Sequence, residues 1–88
     1  MFRYKSGIKV PYNRQGFIYF ASRIYKDLPE SDREAIDKLC RKAGGRFAPA
    51  LKEFVTSDCN AEYICQKHHM TRSTLYRIVR KYYENFKI

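Results

Sequence analysis

No stretch of this 88-residue sequence is apolar for long enough to span a membrane, and Met1 to Lys5 is followed by no long apolar run of the secretory kind. Cysteine is sparse and odd in number: Cys40, Cys59 and Cys65 cannot all pair within one chain. Free thiols in a reducing, cytoplasmic setting are therefore expected. There is no C-x-x-C. The only residues of metal-ligand type that lie close together are Cys59, Cys65, His68 and His69. Cys59 precedes a helix, the adjacent histidines point apart and Cys65 is needed at a helix crossing, so zinc is not expected. A Cys–His catalytic pair lacks an orienting third group, which leaves no catalytic site, no cofactor and no enzyme as the expectation. Gly44-Gly45 is followed by no Lys-Ser/Thr, so it is not a phosphate-cradling loop. No internal repeat, low-complexity tract or long linker divides the chain.

Acidic residues are the other shortage. Nine Asp and Glu face eighteen Lys and Arg, for a formal charge of +9. Residues 1–14 hold four bases and no acid; residues 15–59 hold eight bases and seven acids; residues 60–88 hold six bases and two acids. The excess thus sits at the two ends, +4 each, around a nearly neutral middle. Two basic surfaces on one scaffold suit a polyanion, because neutralising phosphates releases counterions. A hydrophobic fraction of 44% with 16% aromatics is enough for one small core, so the chain is a single folded domain rather than a disordered one.

Hydrophobic spacing gives an all-α reading. Residues 1–14 mix basic, aromatic and small groups around Gly7 and Pro11, as a short strand or extended arm would. From Gln15 to Leu28, the positions Phe17, Ile18, Phe20, Ala21, Ile24, Tyr25 and Leu28 recur at three- and four-residue steps, predicting a helix with that face buried and a stop at Pro29. Ser31 and Glu34 match a capping box for a second helix, with Ile36, Leu39, Cys40 and Ala43 buried and Gly44-Gly45 closing it. A third helix is predicted from Phe47 to Thr56, with Pro49 in its first turn and Ala50, Leu51, Phe54 and Val55 inward. The expected architecture is a four- to five-helix bundle: a basic arm over 1–14, supporting helices over 15–57 and a helical pair over 60–85.

The helical pair carries the functional signal. Asn60 is an N-cap for a short helix ending near Lys67, His68-His69-Met70 is a turn, and Thr71 is a second N-cap. Leu75, Ile78 and Val79 repeat on the buried side of the helix that follows. This segment resembles the helix-turn-helix of bacterial and phage regulators, in which Ile-Ala, a Gly, an apolar residue, a Ser or Thr and an apolar pair recur at fixed steps. Here those positions read Ile64-Cys65, His69, Met70, Thr71, Leu75 and Ile78. Two depart from the pattern: His69 stands at the glycine position, which asks a side chain to adopt a left-handed conformation, and Cys65 replaces the usual alanine. The pair is also similar to region 4 of sigma factors and to small phage or mobile-element regulators, and the approach to it from Leu39-Cys40 to Gly44-Gly45 bears a faint likeness to Mor-type phage activators. The resemblance covers about twenty residues.

It implies a transcription regulator that reads double-stranded DNA with the helix from Thr71, and for the activator likeness a contact with RNA polymerase. With Leu75, Ile78 and Val79 buried, the opposite face presents Arg72, Ser73, Tyr76 and Arg77, with Thr74 at its edge. Arg72 and Arg77 suit guanine, and Ser73 and Thr74 suit bases or phosphates. Arg80 and Lys81, further along, suit phosphates. Arg3, Lys5 and Lys9 on the arm either follow phosphates or a minor groove, or simply pack on the bundle. Tyr82, Tyr83 and Phe86 have three roles open: core packing, base stacking or a dimer seam. One reading helix makes few base contacts, so a homodimer or tandem binding is expected where specificity is high. An accessory factor for recombination, excision or packaging is the second reading, and an adaptor for acidic protein partners the third.

Overall fold

The computed structural model describes residues 4–87, and among them every regular element is helical. Five α-helices follow in order: α1 (Tyr12–Arg23), α2 (Glu30–Gly44), α3 (Ala48–Thr56), α4 (Ala61–His68) and α5 (Arg72–Glu84). Single 3₁₀ turns, Tyr25–Asp27 and Gly45–Phe47, join α1 to α2 and α2 to α3. The radius of gyration of 12.0 Å equals the value of about 12 Å for a compact chain of this length. No helix among the described residues is long and apolar enough to cross a membrane.

All three prolines stand at helix starts, where a fixed φ helps and the missing N–H costs nothing. Pro11 and Pro29 are the N-caps of α1 and α2, and Pro49 lies in the first turn of α3. Two expectations are corrected here. The first helix begins at Tyr12, within the expected arm, and ends at Arg23 rather than Leu28. The capping box at Ser31 and Glu34 does not form: Pro29 starts α2, and its carbonyl accepts from the amides of Asp32 and Arg33 at 3.0 Å each. Ser31 is thereby placed inside the helix, past the position from which a hydroxyl can cap. Acidic Glu30 and Asp32 in the first turn, with Arg41 and Lys42 in the last, complement the helix dipole. Gly45 closes α2 at φ 55°, a conformation that glycine adopts without the Cβ penalty.

The core is built from Ile18, Ile36, Leu51, Ile64, Leu75, Val79 and Tyr82, all essentially inaccessible. Burying one such aliphatic side chain contributes about 1.5–3 kcal/mol. α2 packs most extensively on α3 and crosses α5, while α3, α4 and α5 pack on one another. Tyr82, Tyr83 and Phe86 all join this core. The Tyr82 hydroxyl meets Ser22 Oγ at 2.7 Å, and Ser22 is itself buried. Burial pushes the Tyr83 phenol up to about 12 and raises Tyr82 further.

α1 is turned differently from its apolar pattern. Its buried positions are Gln15, Ile18, Ala21 and Ser22, whereas Phe17, Phe20 and Ile24 remain about half exposed. Polar groups take the inner face because they have inner partners: Ser22 bonds Tyr82, and Gln15 holds the arm. Phe17 contributes from the rim instead, edge-on to Phe86 at 6.2 Å.

The three cysteines are free, Cys40 buried and Cys59 and Cys65 half-buried. Burial pushes the Cys40 thiol up to about 12, which keeps it protonated and unreactive. Among the described residues no three His, Cys, Asp or Glu side chains are grouped to hold a metal.

Candidate nucleic-acid interface

Asn60 begins α4, its side-chain oxygen accepting the Tyr63 amide at 2.8 Å. His69 ends it in the left-handed region, φ 54° and ψ 52°, and the Met70 amide donates to the Cys65 carbonyl at 3.0 Å. Met70 then packs partly against the core, which fixes the turn from below. Thr71 starts α5: its hydroxyl accepts the Thr74 amide at 3.2 Å and donates to the Thr74 hydroxyl at 3.0 Å. Helix stop, turn residue and helix start all fall where the residue types place them. α4 is tied to α3 by Glu53, which receives Lys67 and His68 at 2.9 Å each. Those two bonds, His68 first, hold the Glu53 carboxyl below its usual range.

α5 divides cleanly. Leu75, Ile78, Val79, Tyr82 and Tyr83 are buried on one side; Arg72, Ser73, Tyr76, Arg77, Arg80 and Lys81 are exposed on the other, and Thr74 is intermediate at the edge. The cations on this face are little engaged. Arg72 lies 3.8 Å from Glu62 across the turn, with both side chains well exposed, and Arg80 lies 3.6 Å from Glu84. Contacts this long at the surface contribute little and are easily exchanged. Arg77 and Lys81 make no ion pair among the described residues.

The arm lies beside this face. Tyr4, Lys5, Ser6, Gly7 and Ile8 run along Ser73, Tyr76, Arg77, Val79 and Arg80, and the two segments enclose an open groove of about 740 Å³. Residues 4–10 form turns and bends, not a strand, and two anchors hold them: Ile8 is buried, and Gln15 clamps the backbone. The wholly buried Gln15 amide accepts from the Lys5 N–H at 2.8 Å and donates to the Lys5 and Val10 carbonyls at 3.0 and 2.9 Å. Farther on, the Lys9 amide donates to Glu84 at 3.3 Å, and the Arg14 guanidinium donates to the Phe86 carbonyl at 3.0 Å.

The three arm cations are therefore not equivalent. The Lys5 ammonium sits 5.7 Å from the centre of the Tyr83 ring, turned toward the bundle, and burial lowers its pKa. Lys9 is exposed. Arg3 lies outside the described residues. Sequence reasoning missed Gln15 and the groove-lining Tyr4, Ser6 and Gly7. Gln15 stands before the apolar stripe, between Arg14 and Gly16, and nothing in the sequence marks it or the other three.

No protein-family model matches the chain, and neither a curated protein nor a solved structure shows significant similarity to it.

Proposed function

We propose that this protein binds double-stranded DNA with a helix-turn-helix formed by α4 and α5, α5 lying in the major groove, and that it serves as a transcription regulator of a phage or mobile element. The observation that carries the reading is the exposed, weakly engaged basic face of α5, with Arg72, Ser73, Tyr76 and Arg77 at its N-terminal half. A helix that buries Leu75, Ile78 and Val79 while presenting these groups has the shape and donors to read base edges. Arg72 and Arg77 offer paired donors to guanine, Ser73 and Tyr76 add contacts between them, and Thr74 supports the capped start. Arg80, Lys81 and Lys9 serve phosphates that flank the site. In this reading the arm is a second, ordered surface beside the reading helix. Recombination, excision or packaging would use the same surface.

The test is selection of bound sequences from a random duplex pool, followed by affinity measurement on the selected site. Arg72→Ala combined with Arg77→Ala should lower specific affinity by about 10²-fold or more, at about 1–3 kcal/mol per lost base contact, with circular dichroism and melting unchanged. A palindromic consensus would indicate a two-fold homodimer. Binding indifferent to both substitutions and to salt would end the DNA reading and leave the adaptor.

A further inference from the structure

At the other end of α5, a groove of about 270 Å³ runs between the outer face of α2 and the chain's last turn. Its floor is apolar: Ala35 and Leu39 are the accessible side chains, and Ile36 and Phe86, which also line it, are buried. Its rim is basic, formed by Lys38, Lys42 and Lys87. All three lysines are exposed, and none is ion-paired among the described residues. The acids that do pair have other partners: Asp37 pairs with Lys52, Glu53 with Lys67 and His68, Asp58 with Arg23, and, at longer range, Glu62 with Arg72 and Glu84 with Arg80. Glu34, one turn before Lys38 on α2, makes no ion pair with it at 4.0 Å or less.

We propose that this groove docks an acidic-apolar segment of a partner protein, its apolar side chains on Leu39 and Ala35 and its carboxylates on Lys38, Lys42 and Lys87. The pattern of an apolar floor between unpaired cations is what fixes the occupant's chemistry. A duplex is a poor fit, because phosphates gain nothing from an apolar floor. A second copy is a poor fit as well, since each copy carries +9 and would set lysine against lysine. Drug-sized ligands need pockets of about 300–1,000 Å³, so a few side chains suit the volume better. Lys38 and Lys42 lie one helical turn apart, about 6 Å along α2, a spacing that two carboxylates on one peptide can match. From Arg72 to Asn85 the α5 axis runs about 20 Å, so the groove stays open when the first half of α5 is occupied. The inference does not depend on DNA binding.

The experiment is a titration of the isotope-labelled full chain, followed by amide chemical shifts, with three probes. These are a synthetic peptide alternating Glu with Leu, the same peptide with Ser for Leu, and a short DNA duplex. The Glu–Leu peptide should shift Ala35, Leu39 and Phe86. Replacing its Leu by Ser should weaken binding about tenfold, and Lys38→Ser plus Lys42→Ser in the protein should do the same with melting unchanged. Equal affinity for the two peptides, shifts confined to Arg72–Arg80, or no peptide binding would overturn the proposal. So would a duplex that shifts the groove and loses affinity on the lysine substitutions, which would make the groove a DNA contact. A duplex that does not bind at all would sink the DNA reading and leave the peptide result standing.

Discussion

The two ends of this chain carry the same excess of charge, +4 each, and the fold treats them differently. Among the described cations of the N-terminal segment, Lys5 and Arg14 are turned inward and Lys9 is exposed. Lys5 covers Tyr83, Arg14 reaches the Phe86 carbonyl and stacks over the Phe17 and Phe86 rings, and the backbone of Lys9 is held by Glu84. Along α5 the cations face solvent, and Arg77 and Lys81 are without ion pairs among the described residues. Charge count alone does not separate a basic surface that holds a fold together from one that is free for a ligand. What separates them is where each ammonium or guanidinium ends. The means of anchoring differ too: the arm is fixed by side-chain bonds to its backbone, α5 by caps and a turn residue.

The contrast breaks most sharply at Gln15. Gln15→Ala removes three part-buried hydrogen bonds and leaves the Lys5 amide and two carbonyls to find water. At about 1 kcal/mol per bond, the cost is about 3 kcal/mol, read as a lowered denaturation midpoint. Amide exchange at Lys5 to Val10 should accelerate more than at Leu75 to Tyr82. Uniform acceleration in both segments would mean that the arm and α5 open as one unit, and the distinction drawn between them would fall.

His69 tests the other mode of anchoring. It is the one non-glycine residue with positive φ among those described. A left-handed side chain costs about 1–2 kcal/mol, part of which glycine returns through its freer unfolded chain. His69→Gly should therefore stabilise the protein by about 1 kcal/mol, measured by chemical denaturation with an unchanged slope. A destabilised variant would show that the imidazole contributes more than the backbone strain it carries.

The same contrast explains what was legible in the sequence. The segment from Asn60 to Val79 was readable because each of its signals is local: a cap reads the amide three residues on, a turn residue reads its own φ, and Leu75, Ile78 and Val79 repeat within one helix. α1 was misread because its inner face is chosen by distant partners. Ser22 is inside because Tyr82, sixty residues on, brings a hydroxyl there; Gln15 is inside because the arm's backbone needs an amide. Periodicity assigns the large aromatics to the core by default, and it cannot know that two polar side chains have better claims. Likewise the Ser31 capping box lost to Pro29, whose rigid φ starts the helix two residues earlier than the hydroxyl would. The groove between the arm and α5 was not legible, since it exists only once Ile8 and Gln15 have seated the arm.

The smallest effect gives the sharpest comparison, between two lysines of unlike placement. Lys81 is exposed on the last turn of α5, and Lys5 is half-buried over Tyr83. If phosphates lie along the exposed face, Lys81→Met should lower the slope of log affinity against log salt by about 0.9, the contribution of one neutralised phosphate. Lys5→Met keeps the stem that packs on the bundle and removes only an ammonium already drawn away from solvent. Its salt slope should match that of the unaltered protein. Equal losses from the two substitutions would place Lys5 on the DNA after all, requiring it to leave the Tyr83 ring on binding, and the arm would then be a moving part rather than a fixed one.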